Sequence, residues 1–266
     1  MTFSRLLAAG ILLTIMMAAL WPSLLTTASY DRQFRDFPNA PVSRRFPLGT
    51  DELGRDRLSR LLLGTRISLL AAPAAALLST FLAALAGGMA GFLGGWYDRA
   101  AGIALDVMLS LPWLFLLIIV RAMLPLNIPA TLSLLVTFGL IGLLGWPSAA
   151  RVIRAGCRTL RHSDLVLQAN ASGLTTARVL VKHVLPNVRP ILVAQFWTSV
   201  PVYILAEANL SFLGLGVADP LPSWGNLLRA LETGFTPAAG AWAPLVLMVI
   251  VVSCLYLIRP SEALAK

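Results

Sequence analysis

Charged residues are scarce in this chain of 266 residues. They make up 12% of the sequence, whereas soluble domains carry about 25%. Together with a hydrophobic content of 58%, this scarcity excludes an ordinary soluble domain and predicts burial in lipid. The net charge of +9 does not indicate a nucleic-acid partner, because the cations lie in short links between apolar runs, as they do beside membrane spans.

Cysteine is almost absent, and the motifs of common enzymes are missing. Cys157 and Cys254 lie in different segments, so they form neither a disulfide framework nor a zinc site. His162 and His183 are too far from other ligand types to predict a metal site. Since the chain has no P-loop, Gly-x-Ser-x-Gly or paired-His motif, we predict no catalytic residue, no metal site and no cofactor of its own.

Six apolar runs are long enough to cross a bilayer, which takes about 20 residues. They are Leu6–Tyr30, Ile67–Tyr97, Ala100–Val120, Ala122–Ala150, Pro190–Ala218 and Thr233–Ile258. The first run could instead be a cleaved signal peptide that begins after Arg5, but its length and the five later runs favour a retained helix. We therefore predict an all-α polytopic membrane protein with six transmembrane helices. It forms one domain over 1–266, made of a first helix at 1–30, an external loop at 31–66 and a five-helix core at 67–258.

The polar link at 147–189, between the fourth and fifth runs, begins with a predicted short helix. Ser163 can cap this helix, and Asp164 in its first turn suits the helix dipole. Gly173 can end it, because glycine readily takes the left-handed conformation of a helix end. Lys and Arg are nearly balanced on the two sides of the predicted membrane, so the positive-inside rule only leans towards placing this link in the cytoplasm.

A second short helix is predicted over Ala177–Val184 in the same link. Thr175 or Thr176 can cap it, and Pro186 can close it. Two helices around a glycine would make a compact knob. On these residues alone, an amphipathic helix lying at the lipid interface explains the segment equally well.

The stretch ARVIRAGCRTLRHSDLVLQANASGLTTARVLVKHVLPN resembles the cytoplasmic loop of binding-protein-dependent ABC importer permeases. That loop reads Glu-Ala-Ala, three residues, Gly, then about a dozen residues to Leu-Pro. Ala169 matches the second Ala, Gly173 the Gly, and Leu185 with Pro186 the ending. The resemblance implies that a short helix here seats in a cleft of an ATPase and transmits its stroke. The implied coupling residues are Asp164, Leu167, Gln168, Ala169, Gly173, Leu185 and Pro186.

The chain departs from the family pattern at two of these positions. Leu167 stands where the family has Glu, and Gln168 stands where it has the first Ala. We therefore expect a polar contact to the ATPase to be missing. We also expect that Gly173→Arg leaves the protein in the membrane but uncouples transport from ATP hydrolysis.

Three further stretches are similar to the second permease type of dipeptide, oligopeptide and nickel importers. They are FPLGTDELGRDRLSRLLLGTRISL at Phe46–Leu69, LDVMLSLPWLFLLIIV at Leu105–Val120 and ILAEANLSFLGLGVADPLPSWGNLL at Ile204–Leu228. The resemblance implies a bacterial inner-membrane protein with both termini and the 147–189 link in the cytoplasm. It also implies four kinds of partner: a second permease in a heterodimer, two ATPase subunits that bind ATP and Mg, an extracytoplasmic substrate-binding protein and membrane lipid. No nucleic acid is implied.

Two other classes of protein remain as alternatives. A self-standing secondary transporter or channel would carry membrane-embedded charges or broken helices in paired halves. Only Asp106 and Glu207 lie within the predicted spans, and no internal repeat is evident. A non-transporting membrane scaffold would use glycine seams for helix docking.

The marked residues of the predicted external loop suggest a turn at a gate. The residues are Gly49, Thr50, Asp51, Gly54, Arg55 and Asp56. Two glycines bracket a tight turn, and the carboxylates can pair with neighbouring arginines, which fixes the shape of a loop. An external scoop that faces the binding protein and a self-satisfied structural turn both fit, and they are compatible.

The acids within the spans allow two interpretations each. Asp106 is either a latch near the cytoplasmic gate or, as we favour, a structural pair with Arg99 or the polar link near a helix end. Glu207 either lines the pathway and meets a cationic group of the substrate, or locks the fifth helix to the following loop. We favour the lock, because related permeases with varied substrates have a similar string.

Small residues recur every four positions in the second run, at Ala83, Gly87, Gly91 and Gly95. Such spacing allows two helices to approach closely. We predict a packing seam, either within the chain or against the partner permease.

Overall fold

A computed structural model describes residues 3–26, 28–125, 127–229, 231 and 239–259, and at 170, 177 and 239 the backbone alone. The α-helices of these residues are α1 Phe3–Leu20, α2 Arg57–Ala83, α3 Met89–Leu93, α4 Gly95–Ser110, α5 Trp113–Met123, α6 Ala130–Leu144, α7 Trp146–Arg161, α8 Asp164–Ala171, α9 Thr176–Val179, α10 Leu185–Phe212, α11 Trp224–Arg229 and α12 Ala243–Ile258. Two π-helical segments, Ala84–Gly88 and Leu180–Val184, lead from α2 into α3 and from α9 into α10. Short 3₁₀ turns lie at Pro22–Leu24 and Ala239–Trp242.

Five helical segments are long and apolar enough to cross a membrane. They are Phe3–Leu20, Arg57–Leu93, Ala130–Arg161, Leu180–Phe212 and Gly240–Ile258, and the pair α4 and α5 makes a sixth if it counts as one bent span. The predicted all-α polytopic membrane fold is therefore confirmed. The predicted sixth run began at Thr233, but residues 233–238 lie outside the described part of the chain.

The third predicted run is not one continuous helix. Helix α4 ends at Ser110 and α5 begins at Trp113, and the two are bent by 76°. The cause is Pro112, because a proline ring disfavours the α conformation in the residue before it. Leu111 accordingly takes an extended ψ of 132°.

The second span begins at Arg57, earlier than the predicted Ile67. Asp56 caps it, since one carboxylate oxygen accepts the backbone N–H of Ser59 at 3.0 Å. The predicted run begins only after Arg66, but the side chain of Arg60 is buried and pairs with Asp219 at 3.2 Å. A charge that is paired does not prevent a helix from continuing into the membrane.

The second helix of the polar link does not close at Pro186, so that prediction is wrong. Helix α9 passes through the π-helical Leu180–Val184 into α10, which ends at Phe212 rather than at the predicted Ala218. Pro186 lies in the first turn of α10, where proline is tolerated. The π-helical turn just before it resets the hydrogen-bond pattern of the backbone.

The chain forms two compact units. The first comprises Met1–Pro73, Val120–Gly139 and Pro201–Ile258, and the second is built mainly of Ala74–Ile119 and Leu140–Val200. The prediction of a single domain over 1–266 stays a prediction.

The packing seam lies within the second unit. A Cβ atom added at Gly87 would collide with the carbonyl oxygen of Ala150, and one added at Gly91 would collide with that of Arg154. The absence of side chains at both glycines therefore lets α3 and its π-helical lead-in lie directly on α7. Gly95 is not part of the seam, because an added Cβ there would meet nothing within 4 Å.

Candidate functional site

The polar link forms a knob, which we define as Asp164–Val184, in the second unit. Val166 and Ala169 of α8 are buried, as are Val179 and Val184 in the second arm. They belong to one apolar cluster with residues of α7, among them Ile153. The knob is therefore seated on α7 and on the start of α10.

The opposite face of the knob is exposed and carries apolar side chains among polar ones. Leu165 and Leu167 are 44% and 55% exposed, and Asp164 and Gln168 beside them are also exposed. On the second arm Val181 is 61% exposed, beside the exposed Lys182. A face of this kind is suited to contact with another protein.

Two of the knob's predicted turn signals behave differently from each other. Gly173 has φ of +75° and open space around it, so it supplies the left-handed turn between the two arms. Ser163 does not use its side chain as a cap, because its Oγ donates to the carbonyl of Leu160 at 2.6 Å. The Ser163 carbonyl instead accepts the first helical N–H groups, those of Val166 and Leu167.

The seven predicted coupling residues fall into two groups. Asp164, Leu167, Gln168, Gly173, Leu185 and Pro186 are exposed. Ala169 is buried against α7, so it helps to seat the helix rather than to contact a partner. The coupling role of all seven stays a prediction.

The predicted external loop is fastened by Thr50, which is fully buried in the first unit. Its Oγ donates to the carbonyl of Phe37 at 2.5 Å and accepts the N–H of Ala40 at 2.8 Å. Gly49 and Gly54 have φ of +72° and +71°, and a Cβ at either one would collide with backbone carbonyl oxygens of the same loop. Side-chain hydrogen bonds and close backbone packing therefore hold the loop in one shape.

A network of side-chain ion pairs joins this loop to the segment after α10. Arg55 Nε contacts Asp51 Oδ2 at 2.6 Å, and Arg55 Nη1 contacts Asp219 Oδ1 at 3.3 Å. Arg60 contacts the same Asp219 oxygen at 3.2 Å. Asp56 is held apart from this network, since it caps α2 and accepts the hydroxyl of Thr26 at 3.1 Å.

Glu207 is a buried hydrogen-bond centre near the end of α10. It is 1% exposed, and its Oε1 accepts the hydroxyls of Ser211 and Ser223, each at 2.6 Å. Its Oε2 accepts the N–H of Gly225 at 3.3 Å. The carboxylate thereby ties α10 to the first turn of α11, the arrangement that a helix lock requires, although the role itself stays a prediction.

The first turn of α11 is also joined to α2. Trp224, fully buried, donates its indole N–H to Thr65 Oγ1 at 3.0 Å and its backbone N–H to Ser68 Oγ at 3.2 Å. Three elements of the first unit therefore meet at this point.

The comparison of the whole chain with known proteins decides its family. Residues 67–259 match the family described as binding-protein-dependent transport system inner membrane component. The chain belongs to this family. It is similar to the oligopeptide transport system permease protein OppC of Bacillus subtilis, with 34% identity over 219 residues that cover 82% of this chain and 69% of the relative. It is also similar to the dipeptide permease DppC of the same organism, with 34% identity over 224 residues, 84% of this chain and 68% of the relative. The OppC protein of Mycobacterium tuberculosis strain H37Rv is 35% identical over 222 residues, 83% of this chain and 74% of that protein.

The predicted membership in the peptide branch of binding-protein-dependent ABC importer permeases is thus confirmed. The transporter is a multi-pass membrane protein whose family is made of permeases rather than enzymes. Among its described residues, no group of three or more His, Cys, Asp or Glu side chains could hold a metal ion.

Asp106 and a second acid contact α7 of this permease. Asp106 pairs with Arg151, and the two side chains are 71% and 53% exposed. Asp98, which our sequence reasoning missed, contacts Arg154 Nε at 2.6 Å, and these side chains are only 13% and 21% exposed. Asp98 lies in the first turn of α4. An acid at the start of a helix was the one feature by which the sequence could have indicated it.

Proposed function

We propose that this permease forms half of the translocation path of an ATP-driven importer for short peptides. The proposal is supported by the printed names of its relatives, which are oligopeptide and dipeptide permeases. Those names favour peptides over nickel as the solute. The other half of the path would come from a second permease in a heterodimer, and a substrate-binding protein would deliver the peptide from outside.

The energy would come from two ATPase subunits that bind ATP and Mg, since this chain has no P-loop of its own. The single observation that carries this step is the knob at Asp164–Val184, with one face packed on α7 and the other face exposed. Closure of the ATPases would push the exposed face. Because the buried face is seated on two membrane helices, the push would favour one state of the gate over the other.

The contact of α8 with the ATPase would be apolar at position 167 in this permease. Leu167 stands on the exposed face where relatives of the family carry Glu, and Leu165 lies near it. We therefore propose that burial of leucine side chains in the cleft of the ATPase replaces a charged hydrogen bond. Complete burial of one leucine contributes about 1.5–3 kcal/mol.

The proposed location is the bacterial inner membrane, with the knob and both termini in the cytoplasm and the loop around Thr50 outside. Residues 1–2 and 260–266 lie outside the described part of the chain. The short hydrogen bonds that fasten the loop around Thr50 give it one shape. A loop of fixed shape is suited to receive a docked binding protein.

The experiment compares two glycine variants in cells that contain all the importer subunits. Gly173 and Gly95 both have positive φ, and an added Cβ would meet nothing within 4 Å at either position. The strain of a substituted side chain is therefore similar, about 1–2 kcal/mol. Only Gly173 lies in the knob, so Gly173→Arg should abolish uptake of labelled tripeptide while the membrane level and the basal ATP hydrolysis persist. Gly95→Arg should transport at close to the wild-type rate.

Equal uptake by the Gly173→Arg and Gly95→Arg variants would refute the coupling role of the knob. A separate arm deletes the ATPase genes. Peptide uptake that survives this deletion would favour a secondary transporter instead.

A further inference from the structure

Arg121 is a buried cation without a matching anion. Its side chain at the end of α5 is 1% exposed. Within the described part of the chain it makes one hydrogen bond, a long one from Nη2 to Ser133 Oγ at 3.4 Å. Nε and Nη1 have no hydrogen-bond partner among the described residues, and no ion pair there involves this arginine. An unpaired buried charge is costly unless a partner arrives.

The hydroxyl that accepts from Arg121 is itself held in place. Ser133 Oγ, which accepts from Arg121, also accepts the N–H of Ala218 at 3.1 Å and donates to the carbonyl of Gly216 at 3.2 Å. These bonds attach α6 to the segment after α10. Arg121 therefore contacts a fixed group through Nη2, and its Nε and Nη1 are left for a ligand.

Arg121 lines a cavity of about 460 Å³ in the first unit. Its other lining residues come from the loop at 51–57, the segment after α10 and α11, and they include Gly214, Gly216 and Asn226. This volume is within the range of about 300–1,000 Å³ that is usual for small-molecule sites. The cavity is large enough for the end of a short peptide.

The charges that line the cavity favour an anion. Of its acids, Asp51 and Asp219 are neutralised by Arg55 and Arg60, which lie 2.6–3.9 Å from them. Glu52 is the remaining acid of the lining.

Three arginines of the lining lie outside those pairs. Arg121 is the first, and Arg57 is the second, with its Nε on the carbonyl of Thr50 at 2.8 Å. Arg229 is the third, and its guanidinium lies beside Gly214. Three cations against one acid give the cavity a positive balance.

We propose that this cavity is a carboxylate subsite of the permease, in which Arg121 donates hydrogen bonds to the terminal carboxylate of a peptide. Arg57 and Arg229 supply the surrounding positive potential. The proposal deepens the proposed function and rests on it, because it names the chemical group by which the permease itself recognises a peptide. The carboxylate of an acidic side chain has the same chemistry and is distinguished in the test below.

The first test is a binding measurement that needs no transport. The purified importer, in lipid nanodiscs and without binding protein, is heated with millimolar trialanine, trialanine amide or Ala-Asp-Ala amide, and its melting temperature is recorded. Trialanine should raise the melting temperature and its amide should not. A rise with Ala-Asp-Ala amide as well would assign the subsite to carboxylates in general.

The variants identify the arginine responsible. Arg121→Gln should lose the stabilisation by trialanine, Arg121→Lys should keep a part of it, and Arg99→Gln, an exposed arginine outside the cavity, should keep all of it. Equal shifts with trialanine and its amide in the wild-type importer would overturn the proposal even if Arg121→Gln did not assemble. A full trialanine shift in Arg121→Gln would overturn it as well.

The second test measures uptake as a ratio, which does not depend on how much protein reaches the membrane. The ratio of trialanine uptake to trialanine-amide uptake should fall about tenfold in Arg121→Gln relative to wild type, since hydrogen bonds to charged groups are among the stronger ones. An unchanged ratio would overturn the subsite but leave the peptide importer standing. If wild-type cells took up neither peptide while the binding test succeeded, the proposed function would fail instead.

Discussion

Replacement of Glu207 by alanine should destabilise the permease more than any exposed acid does. The carboxylate accepts two hydroxyls at 2.6 Å and one backbone N–H at 3.3 Å, all at buried positions. Glu207→Ala leaves these three donors without their acceptor, and each unsatisfied buried donor costs about 1–3 kcal/mol. The two serine hydroxyls can rotate towards other acceptors, but the N–H of Gly225 is fixed. We therefore expect a loss of about 3–5 kcal/mol, a large value for one substitution.

The assay is thermal unfolding of the purified importer, followed by intrinsic fluorescence. A loss of this size corresponds to a fall of about 10 °C in melting temperature for a domain of this length. Glu207→Gln keeps one acceptor oxygen and should lie between Glu207→Ala and wild type. Asp36→Ala, an exposed acid of the same unit, is the control and should change little. If Glu207→Ala melted within 2 °C of wild type, roughly the effect of less than one hydrogen bond, the lock would be refuted.

Two further predictions concern the second unit. Gly87→Leu should lower the level of folded protein, because its Cβ would meet the Ala150 carbonyl and keep α7 off the π-helical lead-in of α3. Gly10→Leu is the control, since an added Cβ there has open space. Equal levels of the two variants in detergent size-exclusion profiles would contradict the seam. Asp98→Asn should cost about 1–2 kcal/mol, because its pair with Arg154 is mostly buried. Asp106→Asn should cost less, because its pair with Arg151 is open on one side and can rearrange. Thermal unfolding of the two variants ranks them, and the reverse order would show that burial does not set the strength of these pairs.

The membrane fold could be predicted because its main rule is local. A backbone in lipid must satisfy its own hydrogen bonds, so a long uncharged run has to be a helix. The same rule failed where a distant residue changed the local chemistry. Arg60 lies inside α2 because Asp219, far away along the chain, neutralises it, and no local pattern indicates such a pair.

The two prolines show how far a local signal reaches. Pro112 breaks the third span, but the bend of 76° depends on what packs around it and cannot be calculated from the sequence. Pro186 was expected to end a helix and instead lies in the first turn of one, because the π-helical segment before it changes the hydrogen-bond pattern. That segment has no sequence signature that we recognised.

For the functional residues, too, the sequence shows the residue itself but not its partners or its burial. Glu207 was visible from the sequence as an acid in an apolar run, yet its partners Ser223 and Gly225 lie beyond a long loop. In the sequence Arg121 is only a charge between two predicted spans. Its importance depends on burial and on two unpartnered nitrogen atoms, which are properties of the folded chain alone.

The most direct test of the account is a crosslink from the exposed face of the knob. Gln168 is exposed there, one residue from the buried Ala169, so a photoreactive amino acid at 168 can be compared with one at 169 in the assembled importer. Irradiation of cells should link position 168 to the ATPase subunit in high yield and position 169 far less, and the yield should change with the nucleotide bound. A crosslink from 168 to the extracytoplasmic binding protein, or to no ATPase at all, would contradict the claim that this knob transmits the work of ATP hydrolysis into the membrane.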